Sequence, residues 1–193
     1  MGKNELSGHD YMLKWDDFLA AVPPNRPADM DGFTAAAYDV RYEAHTFYES
    51  IGIKTKDEPG WRLTNVKIKV SPSRARMWSV KAARRDELLV HEQGHYDIVA
   101  FTMSDLWTDL LSPPDLFKTA QDARVWGDSM LAEAGSLIRK LNATPTDPGL
   151  YDTMTKHSRA KVEQARWNDA FQICRNLGMR FRDALDAEGI SIP

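Results

Sequence analysis

Three observations predict an α+β fold for this chain. The first half is mixed and strand-bearing, broken by Pro23-Pro24, Pro27, Gly32, Gly52, Pro59-Gly60 and Pro72, while the second half carries long amphipathic helical stretches with few breaks. Between them, Leu88 to Ile98 is an apolar, helix-compatible run that contains one His-Glu-x-x-His unit, His91-Glu92-Gln93-Gly94-His95. The expected architecture is a small N-terminal antiparallel sheet, over about residues 10–82, packed on a central helix that bears this unit and on two further long helices, over about residues 86–188. With 193 residues, 42% of them hydrophobic, and six tryptophans, the chain suffices for one normal core, so a single domain over residues 1–193 is expected.

Each element has its own local signal. Trp15 and Phe18 are expected to pin the N-terminal segment onto the body. Tyr38, Val40 and Tyr42 alternate within Phe33 to His45, and Val66, Ile68 and Val70 alternate with Lys67 and Lys69, which is the period of half-buried strands. Met77-Trp78-Ser79-Val80 reads as a third strand whose exposed edge lies beside the motif, where an extended peptide can pair by adding a strand. The motif helix is expected to start near Asp86, a good cap residue, and to stop at Ser112-Pro113-Pro114. A second helix capped by Asp115 carries Phe117, Val125, Trp126, Met130, Leu137, Ile138 and Leu141 at helical spacing. The loop Asn142 to Gly149 then reverses the chain into a last long helix, from Tyr151 or Asp152 to about Leu185. There are no internal repeats and no low-complexity tracts.

Composition excludes several classes. A net charge of −3 leaves no basic footprint for nucleic acid. The cluster Arg74, Arg76, Lys81, Arg84 and Arg85 reads as a solvated loop and helix start. The single cysteine, Cys174, cannot form an intramolecular disulfide and is expected to be a buried, inert thiol. No run approaches a membrane span, and Met1 to Gly8 lack the apolar core of a secretory signal, so the chain reads as soluble.

The His-Glu-x-x-His spacing is the one zinc hydrolases use. On a helix with about 3.6 residues per turn, His91 and His95 share a face, so both imidazoles can reach one ion. Glu92 then lies beside the ion, where a carboxylate takes the proton from the attacking water. Two histidines hold zinc weakly, and a catalytic site normally has three protein ligands. The remaining donors are His9, His45 and His157, with the carboxylates Asp97, Asp152 and Glu163. Asp97, two positions after His95, points about 200° away around the helix and is expected to pair or cap instead. His157 is favoured as third ligand because a last helix packed across the motif helix presents it inward; His45, ending a strand, is the reserve, and His9 lies in a terminus expected to be mobile. Asp152 is expected to cap a helix or orient a ligand histidine. Tyr151 is a candidate catalytic residue, donating its hydroxyl to the oxyanion, or a core tyrosine. Gln164 and Trp167, seven and ten residues beyond His157, are expected to pack behind the site on one face of the same helix.

These residues resemble a family. Leu88 to Ile98, Tyr151-Asp152-x-x-Thr155-x-His157 and Gln164-x-x-Trp167, with Trp15-x-x-Phe18 and Met77-Trp78-Ser79-Val80 in matching order, look like a bacterial family of unknown function whose members are described as secreted zinc-dependent proteases. The resemblance implies a zincin-like core, zinc held by His91, His95 and His157, Glu92 as catalytic base, and a periplasmic or extracellular location. Members often have glycine after the last histidine, where this chain has Ser158, and an acidic residue about a turn after the motif, where Ala100 and Phe101 stand.

The expected function is hydrolysis of peptide bonds in an extended polypeptide by a zinc metalloprotease. The same metal chemistry also serves a non-protein amide. The alternative from another class is a metal-stabilised protein-interaction domain without proteolytic activity.

Overall fold

The computed structural model describes residues 3–48, 50–51, 54–55, 59–142 and 148–192, the side chains of 50–51 and 54–55 excepted. It is α+β. In chain order come β1 (Glu5–Ser7), β2 (Gly32–Phe33), β3 (Ala36–Phe47), β4 (Ser50–Ile51), β5 (Lys54–Thr55), β6 (Gly60–Pro72) and β7 (Trp78–Ser79). The helices follow: α1 (Asp86–Leu111), α2 (Ala120–Leu141), α3 (Gly149–Thr155), α4 (Lys161–Leu177) and α5 (Phe181–Ala187).

The main sheet has the order β1-β6-β3. β3 and β6 are antiparallel, with Tyr38 opposite Val70 and Val40 opposite Ile68, and a bulge shifts the register between Arg41 and Glu43. The alternation in β6 has the expected cause: Val66, Ile68 and Val70 are at most 2% exposed, while Lys67 and Lys69 face water. Burying each of those three side chains contributes about 1.5–3 kcal/mol. The sheet is not purely antiparallel, because β1 adds to β6 in parallel, Leu6 opposite Ile68. The terminus expected to be mobile is thus a strand. It is further tied to α1 by Gln93, whose Oε1 accepts from the Leu13 N–H at 2.7 Å and whose Nε2 donates to the Tyr11 carbonyl at 3.1 Å.

The strand expected at 77–80 forms as β7, but it pairs with β2 in a separate antiparallel ribbon rather than joining the main sheet. The basic cluster before α1 sits in loops and short turns, with Arg74 paired to Asp17 at 2.8 Å and Arg84 stacked on Trp15. Trp15 and Phe18 pack together at 5.3 Å between ring centres, and Phe18 is buried in the core.

α1 is central. Every residue from His91 to Met103 is buried, so the helix is enclosed on all sides. One face meets the sheet through Tyr96, Val99, Ala100 and Met103; another meets a second core of Leu141, Tyr151, Trp167, Phe171, Phe181 and Leu185 from the later helices. Asp97 pairs with Arg175 and accepts from Gln93, away from the site. Cys174 is buried, and that burial pushes its thiol up to about 12.

Two helix boundaries differ from expectation. α2 starts at Ala120 with Thr119 as cap, its hydroxyl accepting from the Asp122 N–H at 3.0 Å, because Phe117 instead exchanges backbone hydrogen bonds with Trp61 at 2.8 Å. The last long helix is three: α3 ends in a left-handed turn, and Gly178 (φ 62°) ends α4 before α5. The expected reversal falls mostly on residues 143–147, outside the described residues, as does Gly52. Among the described residues no helix is long and apolar enough to cross a membrane.

Candidate metal centre

α1 presents His91 and His95 one turn apart, their rings 4.9 Å between centres. α3 supplies Asp152, and the turn after it supplies His157, whose ring lies 5.9 Å from that of His91. Lys156, His157 and Ser158 are all left-handed, with φ of 50°, 51° and 69°. Such a run costs side-chain-bearing residues roughly 1–2 kcal/mol each. His157 is therefore held inward by a strained turn and not by a helix, and α4 begins only at Lys161, so Gln164 and Trp167 do not continue its face. Ser158 adopts at φ 69° a conformation that glycine takes without strain.

The three imidazoles converge on one oxygen. Asp152 Oδ1 lies 3.0 Å from His91 Nε2, 3.0 Å from His95 Nε2 and 3.4 Å from His157 Nδ1. His91, Asp152 and His157 form a donor set with ligand atoms within 4.8 Å of one another, and His95 reaches the same oxygen at 3.0 Å. Asp152 is thus neither a helix cap, since Pro148 holds that position, nor a partner to the outer ring nitrogens, as expected from sequence. Although these contacts are short, His91 Nε2 and both Asp152 oxygens have no aligned hydrogen-bond partner among the described residues. Buried polar atoms gathered without hydrogen-bond alignment are costly unless something else satisfies them. A tetrahedral ion bound at about 2.0–2.1 Å sets neighbouring donors about 3.3–3.4 Å apart, near the 3.0–3.4 Å between Asp152 Oδ1 and each histidine nitrogen, so the group could hold a metal ion.

The outer nitrogens of His91 and His95 fix the tautomers. Gln164 Nε2 donates to Tyr151 Oη (2.7 Å) and to Asn168 (3.0 Å), leaving its Oε1 to accept from His91 Nδ1–H at 3.0 Å. Asn142 Nδ2 donates to the His95 carbonyl (2.9 Å), leaving its Oδ1 to accept from His95 Nδ1–H at 2.6 Å. Both rings therefore turn Nε2 toward Asp152, the arrangement a metal ligand needs. Gln164 was legible as a buried amide behind the site. Asn142 was not, because it lies 47 residues from His95 and only the packing of α2 on α1 brings them together.

Charge follows the same geometry. Burial alone would lower His95, but the Asp152 carboxylate raises it to about 9, and Asp152 likewise raises His157. Burial alone would raise Asp152, yet the histidines hold it well below the ordinary carboxylate range. An arriving cation displaces protons from this cluster.

Glu92 is 2% exposed, and its Oε2 has no hydrogen-bond partner among the described residues. It packs against the backbone of Gly32 in β2. Tyr151 is not at the reacting side. It is fully buried, stacked on His91 at 4.8 Å, donates its hydroxyl to the His91 carbonyl at 3.1 Å, and lies so close to Gly94 that a Cβ there would stand 2.1 Å from Oη. The oxyanion role read from sequence is corrected to a positioning one: the phenol, pushed well above its ordinary value by burial, stays protonated and braces the motif helix. Tyr151→Phe is expected to lower thermal stability by about 1–2 kcal/mol, because one buried Gln164 N–H loses its acceptor. Its kcat should change less than tenfold in a peptide assay, whereas loss of an oxyanion donor costs about 10²–10³-fold.

His45 is on the surface, paired with Glu43 at 3.0 Å, and Glu163 pairs with Arg166 at 2.8 Å, so neither reaches the centre. His9, with its Nδ1 buried, borders a cavity formed with Cys174 and Arg180, away from the histidine cluster.

No family model matches the chain, and no curated protein and no solved structure match it either.

Proposed function

We propose that this protein is a zinc-dependent hydrolase of peptide bonds with a zincin-like core, in which His91, His95 and His157 hold the ion, Asp152 supplies a fourth, anionic donor, and Glu92 is the general base. The convergence of three histidines on one buried point, with Glu92 next to His91 in the helix, carries this reading. Zinc, when bound, polarises the scissile carbonyl and acidifies water. Glu92 accepts the proton of the attacking water and returns it to the leaving amine. Gln164 and Asn142 keep the two helix histidines in the ligating tautomer, and the Asp152 carboxylate would offset the charge of a bound cation.

Four protein donors also favour a second reading, a metal-stabilised interaction domain, because structural zinc sites are closed by four ligands. Elemental analysis of the purified chain, followed by a peptide-library digest of the zinc-loaded protein, separates the two. Stoichiometric zinc with cleavage supports the hydrolase; stoichiometric zinc with no cleavage supports the interaction domain; no zinc uptake sinks both.

A further inference from the structure

We propose that β2 is an internal plug: Gly32–Phe33 occupies the edge of β7 that an extended peptide would use, and it must leave before substrate reaches Glu92. This rests on the hydrolase reading and concerns the regulation of that site. Gly32 approaches so closely that a Cβ would stand 2.3 Å from Glu92 Oε1 and 2.9 Å from its carboxyl carbon, so any side chain there must displace either this strand or the Glu92 carboxylate.

The strand is held by contacts a substrate strand would make. Gly32 lies opposite Ser79 and Phe33 opposite Trp78, the Val80 N–H donates to the Asp31 carbonyl at 2.8 Å, and the rings of Phe33 and Trp78 stack at 6.4 Å. On its other side the plug is tied to the turn bearing His157, where Arg159 Nη2 donates to the Asp29 carbonyl at 3.1 Å. With β2 in place His95 is 7% exposed and Asp152 3%, while the His157 side chain keeps 20% of its surface exposed.

Its hold is slight. A ribbon two residues long on each strand is marginal by itself, and the segment before it, with Pro23, Pro24 and Pro27, has no helix or strand between Asp17 and Gly32. Segments fastened by so few hydrogen bonds open at low free energy while the rest of the fold stays intact.

Zinc transfer from the loaded protein to excess chromogenic chelator reads the plug directly. Gly32→Val drives a branched side chain into Glu92, and Arg159→Ala cuts the tether from an exposed position. Both should release zinc at least tenfold faster than the parent at unchanged circular dichroism, and Arg159→Ala, which leaves Glu92 untouched, should cleave peptide faster. Equal or slower release in both variants overturns the plug. Should Gly32→Val fail to fold, Arg159→Ala and hydrogen exchange of the parent decide. Amides of 31–34 that exchange as slowly as those of β6 overturn the proposal, and exchange that is far faster supports it. The exchange measurement needs no metal, so a protein that takes up no zinc defeats the hydrolase reading without being confused with failure of the plug.

Discussion

Glu92→Gln is expected to bind zinc as the parent does and to lose peptide hydrolysis by about 10²–10⁴-fold, the usual contribution of a positioned general base. The substitution conserves shape, and the contact with Gly32 is retained. What changes is the capacity to accept a proton. Bound zinc by elemental analysis, a thermal melt and kcat/KM for one cleaved peptide suffice. Full activity would remove Glu92 from the mechanism, and lost zinc would make it a ligand.

His157→Ala is expected to weaken zinc binding by at least 100-fold, while His45→Ala leaves it unchanged, since His45 is paired with Glu43 on the surface. The reverse order would move the third ligand to the sheet. His157→Gly adds a finer reading. Position 157 has a φ of 51° between two other left-handed residues, a conformation that strains any side chain but glycine. The glycine variant should therefore lose zinc like the alanine variant, yet melt higher than it in the metal-free state, by roughly 1 kcal/mol. Isothermal titration with zinc and paired melts test both statements. Equal melts would mean that the turn stores no strain for holding this ligand.

Much of the fold is legible because its signals are local. The β6 alternation reads correctly because one face of the sheet is dry and the other wet, and the stop at Ser112-Pro113-Pro114 reads correctly because proline cannot extend a helix. Asp97 is excluded from the ion by helix geometry alone, and it pairs with Arg175. The misjudged boundaries share one cause. Phe117 has helical spacing but is claimed by backbone pairing with Trp61, 56 residues away along the chain, and the left-handed run 156–158 lacks a glycine to announce it. Lys156, His157 and Ser158 are ordinary helix residues by propensity, and only tertiary packing holds them elsewhere.

By itself the sequence determined that His91, His95 and Glu92 share one helix in an α+β domain, because a spacing of four and the period of a helix are properties of the chain alone. Tertiary structure decided the rest of the centre. Asp152 stands among the histidines, Asn142 and Gln164 set their tautomers, Tyr151 is spent in the core, and Gly32 covers Glu92. Apart from the contact of Asp152 with His157, each of these depends on residues 47 to 73 positions apart, whose meeting follows from how sheet and helices pack around α1 and leaves no periodic trace in the chain.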